Sequence, residues 1–141
     1  MLVKSKVLII DASESTRTFM RFILNNSGYR VTVVKNGAKA MEEIEDQNFD
    51  VFLIDLRLPD MEGLELIREI RAISAFEHTP ILAVTQFFNK DSHEEEEKAG
   101  VTHWITQPVA PQKLIEIVTQ ISPAPEEFDD EMVNQLINEQ K

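Results

Sequence analysis

A chain of 141 residues, 43% of them hydrophobic, is long enough for one compact domain with a sizeable core and leaves little for a second. Its formal net charge of −11 sets phosphate repulsion against direct binding to nucleic acid. The absence of cysteine excludes disulfides and thiolate metal sites and suits the cytoplasm, and no apolar run approaches the ~20 residues of a membrane span.

The first residues, MLVKSKVLII, join a basic start to a short apolar run that leads straight into Asp11 with no small-residue cleavage site. They read as a strand over 6–10 and not as a signal peptide. Helical spacing follows over 14–27, with Phe19, Phe22 and Ile23 at i, i+3, i+4 as the apolar face and Gly28 as the stop. A strand is predicted over 30–34, then a helix over 38–47 carrying Met41 and Ile44. The third strand, 50–55, precedes a helix over 63–74 with Leu66, Ile70 and Ile73. The fourth strand covers 80–84 and a short fifth covers 102–105. The cleanest helical face lies over 111–121, on Leu114, Ile117, Val118 and Ile121. Strands apolar on both faces and separated by amphipathic helices predict an α/β domain with a five-stranded parallel, doubly wound sheet. Chemistry in such a sheet sits at the carboxyl ends of the strands.

Two segments break the pattern. KDSHEEEEKA, at 90–99, falls where the fourth helix belongs but is almost devoid of apolar residues, and glutamates at i, i+3 repel. It predicts a short, solvated, poorly held helix, with an acidic docking surface as the second reading. After Ile121, SPAPEEFDD reads as a linker and DEMVNQLINEQ as a last short helix with Val133, Leu136 and Ile137 on one stripe. The expected organisation is a domain over 1–121 and an acidic linker with a short helix over 122–141. That tail sets Glu126, Glu127, Asp129, Asp130, Glu131 and Glu139 against Lys141.

Polar residues stand where an α/β site forms. The first strand ends at Asp11, the third at Asp55 before the turn-rich LRLPDMEG, and the fourth at Thr85; Thr106-Gln107-Pro108 follows the fifth. Two carboxylates and a hydroxyl suit a phosphoryl-accepting or metal-binding pocket, although polar residues commonly cap strand ends. A flavodoxin-like cofactor-binding protein is disfavoured, because no strand leads into a Gly-rich phosphate loop and the chain has four glycines. His78, His93 and His103 are scattered and read as surface residues. No residue pattern marks an enzyme, and no catalytic residue is assigned.

The segments VLIIDAS, FDVFLIDLRLPDMEGLELIREIR, PILAVTQ and AGVTHWITQPVAPQKL, in that order, resemble response-regulator receiver domains, the CheY-like fold of two-component phosphorelay signalling. The likeness covers about residues 5–121, and its most specific part is the Asp55 strand followed by the Pro59–Gly63 loop and a helix. It implies that Asp55 accepts a phosphoryl group from a histidine kinase, that Thr85 contacts that group and couples it to the aromatic Trp104, and that Asp11, Asp55 and the Arg57 backbone carbonyl hold Mg²⁺. The family also has a second acid after the first strand, a small residue after the hydroxyl and a lysine after the fifth strand. Here those positions are Ala12, Gln86 and Gln107, and Glu97 takes the place of the usual aliphatic residue of the fourth helix. Arg57 and Glu14 lie close enough in sequence to reach the pocket rim, where Glu14 would lend a carboxylate, but the first helical turn suits Glu14 better.

These departures point to a pseudo-receiver, an interaction module with phosphorylation lost or impaired and Mg²⁺ held weakly or not at all. The alternative is a working receiver phosphorylated on Asp55 with weak Mg²⁺ dependence. The implied partners are signalling proteins (a histidine kinase, an output domain or protein), with a homodimer left open. Neither nucleic acid nor membrane is among them. Phe87, Phe88, Trp104 and the run from Glu94 to Glu97 mark the partner face.

Overall fold

The computed structural model describes residues 5–86 and 89–123. In chain order it runs β1 (Lys6–Ile10), α1 (Glu14–Asn26), β2 (Arg30–Val34), α2 (Gly37–Asp46) and β3 (Val51–Asp55). There follow α3 (Gly63–Arg71), a 3-10 turn (Ser74–Phe76), β4 (Ile81–Thr85), α4 (Lys90–Ala99), β5 (His103–Thr106) and α5 (Pro111–Ile121). The strands form one parallel sheet in the order β2-β1-β3-β4-β5. This is the predicted CheY-like α/β architecture.

Strand alternation divides the core into two layers. Leu8, Ile10, Phe52, Ile54, Ile81 and Ala83 pack toward α2, α3 and α4 with Phe76, while Val7, Ile9, Val51, Leu53, Leu82 and Val84 pack toward α1 and α5. Both faces are covered, which is why the strands read as continuous apolar runs.

The structure corrects the phase of α1. Met20, Ile23 and Leu24 are its buried residues, whereas Phe19 is exposed and Phe22 is 69% exposed. Ser13 caps the helix through Thr16 N–H, and Gly28, at φ 96°, ends it in a conformation that disfavours a side chain. The helix expected over 63–74 stops earlier. Beyond Arg71 the chain turns, and the Arg71 guanidinium donates to the carbonyls of Phe76 (2.8 Å), Thr79 (2.6 Å) and Gly100 (2.6 Å). That fork ties the end of α3 to the approach to β4 and to the C-cap of α4.

The fourth helix, α4, spans the predicted 90–99 with Asn89 as its cap, and it turns one of its glutamates inward: Glu96 is 6% exposed and Ala99 is buried beside it. Glu97, which takes the place of the usual aliphatic residue, has a side chain 67% exposed near His93 (3.6 Å). The acidic linker and last helix expected over 122–141 lie, from residue 124 onward, outside the described residues.

The loop after β3 is held at both ends. Gly63 N–H donates to Leu56 O (3.1 Å), and a Cβ on Gly63 would stand 2.6 Å from Leu56 Cα, so only glycine lets α3 start this close to the strand end. Asp60 accepts from the N–H groups of Gly37 and Ala38 (both 3.0 Å) and so ties the loop to the first turn of α2.

Candidate functional site

The register places Ile10 beside Ile54, so Asp11 and Asp55 leave adjacent strands together, where the chain order of the sheet reverses. Each acid accepts the amide two residues on: Asp11 Oδ1 from Ser13 N–H (2.8 Å) and Asp55 Oδ1 from Arg57 N–H (2.9 Å). Asp11 is 1% exposed, and its Oδ2 is buried without a hydrogen-bond partner among the described residues. Asp55 is half-buried.

Burial pushes both carboxyls above the ordinary carboxylate range. For Asp11 the Ser13 N–H opposes the rise, the Asp55 charge adds to it, and the Arg17 charge opposes it. For Asp55 the Arg57 N–H and then the Arg57 guanidinium oppose it. Arg17 reaches back from α1 to donate to Asp11 O (2.7 Å). Two acids crowded in a desolvated corner, one of them with an unused oxygen, suit a divalent cation that would replace lost solvation. The Arg57 carbonyl is the third donor implied for it. Ala12 presents an exposed methyl group beside Asp11, and no cluster of three acidic or histidine side chains that could hold a metal forms among the described residues. The side-chain donors are therefore two carboxylates, a number that suits Mg²⁺, which keeps several of its waters.

A cleft of about 410 Å³ opens over Asp55, with Thr85, Gln86 and Gln107 on one wall and Asn89, Ser92 and Glu96 farther along. Thr85 pairs in register with Thr106, and Gln107 N–H donates to Thr85 O (2.7 Å), which carries Gln107 to the rim. Arg57 Nη1 meets Gln86 Oε1 at 3.4 Å across the mouth. Asp55, Arg57, Thr85, Gln86 and Gln107 are thus brought into one pocket, with Asp11 behind it. Glu14 stays exposed in the first turn of α1 and does not line the cleft.

The family model for the response regulator receiver domain matches residues 7–119. The chain belongs to that family. It is 31% identical over 117 residues to the chemotaxis protein CheY of Pseudomonas aeruginosa, covering 82% of this chain and 94% of that protein. The structure superposes on the chemotaxis protein CheY4 of Vibrio cholerae with a TM-score of 0.82 at 29% identity, covering 84% and 99% of the two chains. It is also similar, at TM-score 0.77 and 29% identity over 84% and 98% of the chains, to the receiver domain of a Pseudomonas aeruginosa sensor histidine kinase that has a magnesium ion coordinated in its active-site cleft. The chain spans 24% of the transcriptional regulatory protein ZraR of Klebsiella oxytoca and 7% of a Dictyostelium discoideum hybrid signal transduction histidine kinase, so its relatives include modules of much longer proteins.

At β5, the half-buried Trp104 donates its indole N–H to Glu96 Oε1 (3.1 Å) and stacks against His93 with ring centres 4.1 Å apart. Phe87 and Phe88 lie outside the described residues. Sequence reasoning missed Arg17 and Asp60, and it took Glu96 only as one of the run from Glu94 to Glu97, not as an inward residue. Arg17 lies one turn beyond the Ser13 cap, where a long side chain points back at the strand end. Ser92, Glu96 and Ala99 form an i, i+4, i+7 stripe, a signal obscured because Glu96 sits in a run of four glutamates.

Proposed function

We propose that this receiver domain acts mainly as a protein-interaction module in two-component signalling, with phosphorylation on Asp55 lost or much slowed. The observation that carries the reading is the make-up of the Asp55 pocket: an exposed methyl group at Ala12 beside a single flanking acid, and a neutral amide at Gln107 on the rim. In the receiver pattern those positions hold a second acid and a lysine. One well-placed donor to a developing oxyanion is worth about 2.7–4 kcal/mol, so losing the lysine alone slows transfer on the order of 10²–10³-fold.

Mg²⁺, when bound, would rest on Asp11, Asp55 and the Arg57 carbonyl and would offset the negative charge gathered around a phosphoryl group. Asp55 remains the phosphoacceptor candidate and Thr85 its hydroxyl contact. On the partner face, Trp104 is already held by Glu96 and His93, which supports a surface set without a phosphoryl group. Its partners would be other signalling proteins, a histidine kinase or an output domain, and the domain would have no enzymatic activity of its own.

The test is incubation with Mg²⁺ and acetyl phosphate, with the adduct read by intact-mass spectrometry. The wild-type chain should take up little label, and the double variant Ala12→Asp, Gln107→Lys should take up at least ~10-fold more. Near-stoichiometric labelling of the wild type, abolished by Asp55→Asn, would sink this reading in favour of a working receiver.

A further inference from the structure

We infer that the Arg57 guanidinium supplies the positive charge for an oxyanion seated at Asp55, in place of the lysine that Gln107 replaces. The cleft is otherwise hostile to an anion. Of the charged residues described along it, Asp55, Glu62 and Glu96 are acidic and Arg57 is the one cation. Apart from a bound cation, the described lining of the cleft offers an entering anion positive charge only at that guanidinium.

Position and chemistry agree. The Arg57 backbone is fixed relative to the acceptor by its N–H to Asp55 Oδ1 (2.9 Å). Its side chain crosses the mouth to Gln86 Oε1, just after Thr85 at the end of β4, so the guanidinium spans from the end of β3, which carries Asp55, to the end of β4. That contact, at 3.4 Å to a neutral amide, is long and weak, and the side chain is exposed. Exchanging it for charge-assisted bonds to anionic oxygens is favourable, and a planar guanidinium can engage two oxygens at once. Arg17, the other arginine near the acids, is committed to the Asp11 carbonyl and does not line the cleft. Gln86, in the place of a small residue, then parks the cation over the pocket until an anion arrives.

This inference rests on the reading of the chain as a receiver weakened at Asp55, and it accounts for residual anion affinity in a site without its lysine. The experiment titrates the full chain, at saturating Mg²⁺, with beryllofluoride, reading binding by calorimetry and by the fluorescence of Trp104. Wild-type chain should bind weakly and saturably. Arg57→Ala and Arg57→Gln should each weaken binding at least ~10-fold with an unchanged unfolding midpoint, and Arg57→Lys should retain most of it. Adding Gln107→Lys to Arg57→Ala should restore what was lost. Affinities of Arg57→Ala and Arg57→Gln within about twofold of wild type would overturn the inference. Absence of any wild-type binding would overturn it too, while leaving the impaired-receiver reading standing. Tight wild-type binding indifferent to Arg57 would remove both.

Discussion

Asp11 and Asp60 both hold backbone N–H groups, yet they respond to pH with opposite signs because one is buried and the other is not. The Asp60 carboxyl is held below its ordinary value, first by Gly37 N–H and then by Ala38 N–H. Its folded form favours the ionised state, so its contribution to stability is present above the ordinary carboxylate value and is lost as pH falls through the lowered folded value. Asp11 is raised, chiefly by burial. The folded state then keeps a proton that the unfolded state releases, and stability drains away as pH rises from the ordinary value through the raised one. The unfolding midpoint of Asp60→Ala should therefore lie farthest below wild type near neutral pH, with the gap narrowing on acidification. A pH series of thermal melts checks this, and a gap that widened in acid would contradict it. Of these two acids the sequence marks only Asp11, because it ends an apolar run. Asp60 reads as one polar residue of a turn, and its partners lie on another helix.

At the scale of elements, periodicity located the helices better than it oriented them. In α1 the sets Phe19, Phe22, Ile23 and Met20, Ile23, Leu24 both satisfy i, i+3, i+4, one residue apart. Apolar character cannot choose between them, and packing against Tyr29, Leu114 and Val118 chose the second. Met20→Ala should cost about 2–5 kcal/mol in urea denaturation, whereas Phe22→Ser should stay within about 0.5 kcal/mol of wild type. Comparable losses from both would restore the first phase. In α4 an inward polar residue was hidden from any hydrophobicity pattern, because Glu96 is acceptable inside only through the indole N–H of Trp104, eight positions away on β5. Even so, α5 was legible to the residue: its apolar stripe is unbroken, Pro111 opens it and Leu114 and Val118 are buried as predicted.

For the whole molecule, a net charge of −11 on 141 residues means self-repulsion in the compact state. The exposed pairs Lys39–Glu42, Arg68–Glu95 and Lys98–Glu94 are too solvated to offset much of it. Raising NaCl from about 10 to about 150 mM shortens the screening length from roughly 30 to 8 Å and should raise the unfolding midpoint measured by circular dichroism. A midpoint that fell would mean that the ion pairs outweigh the repulsion. By itself, the sequence determined the parallel five-stranded fold, the strand ends that carry Asp11, Asp55 and Thr85, and the presence of Ala12 and Gln107 beside them. These are local properties: apolar runs, turn residues and the identity of single side chains at strand ends. Only the tertiary structure decided which face of α1 is buried, that Glu96 holds Trp104, that Asp11 Oδ2 is stranded, and that Arg57 reaches across the cleft to Gln86. Each of these is a contact between residues on different elements, and its partner is set by how those elements pack rather than by spacing along the chain.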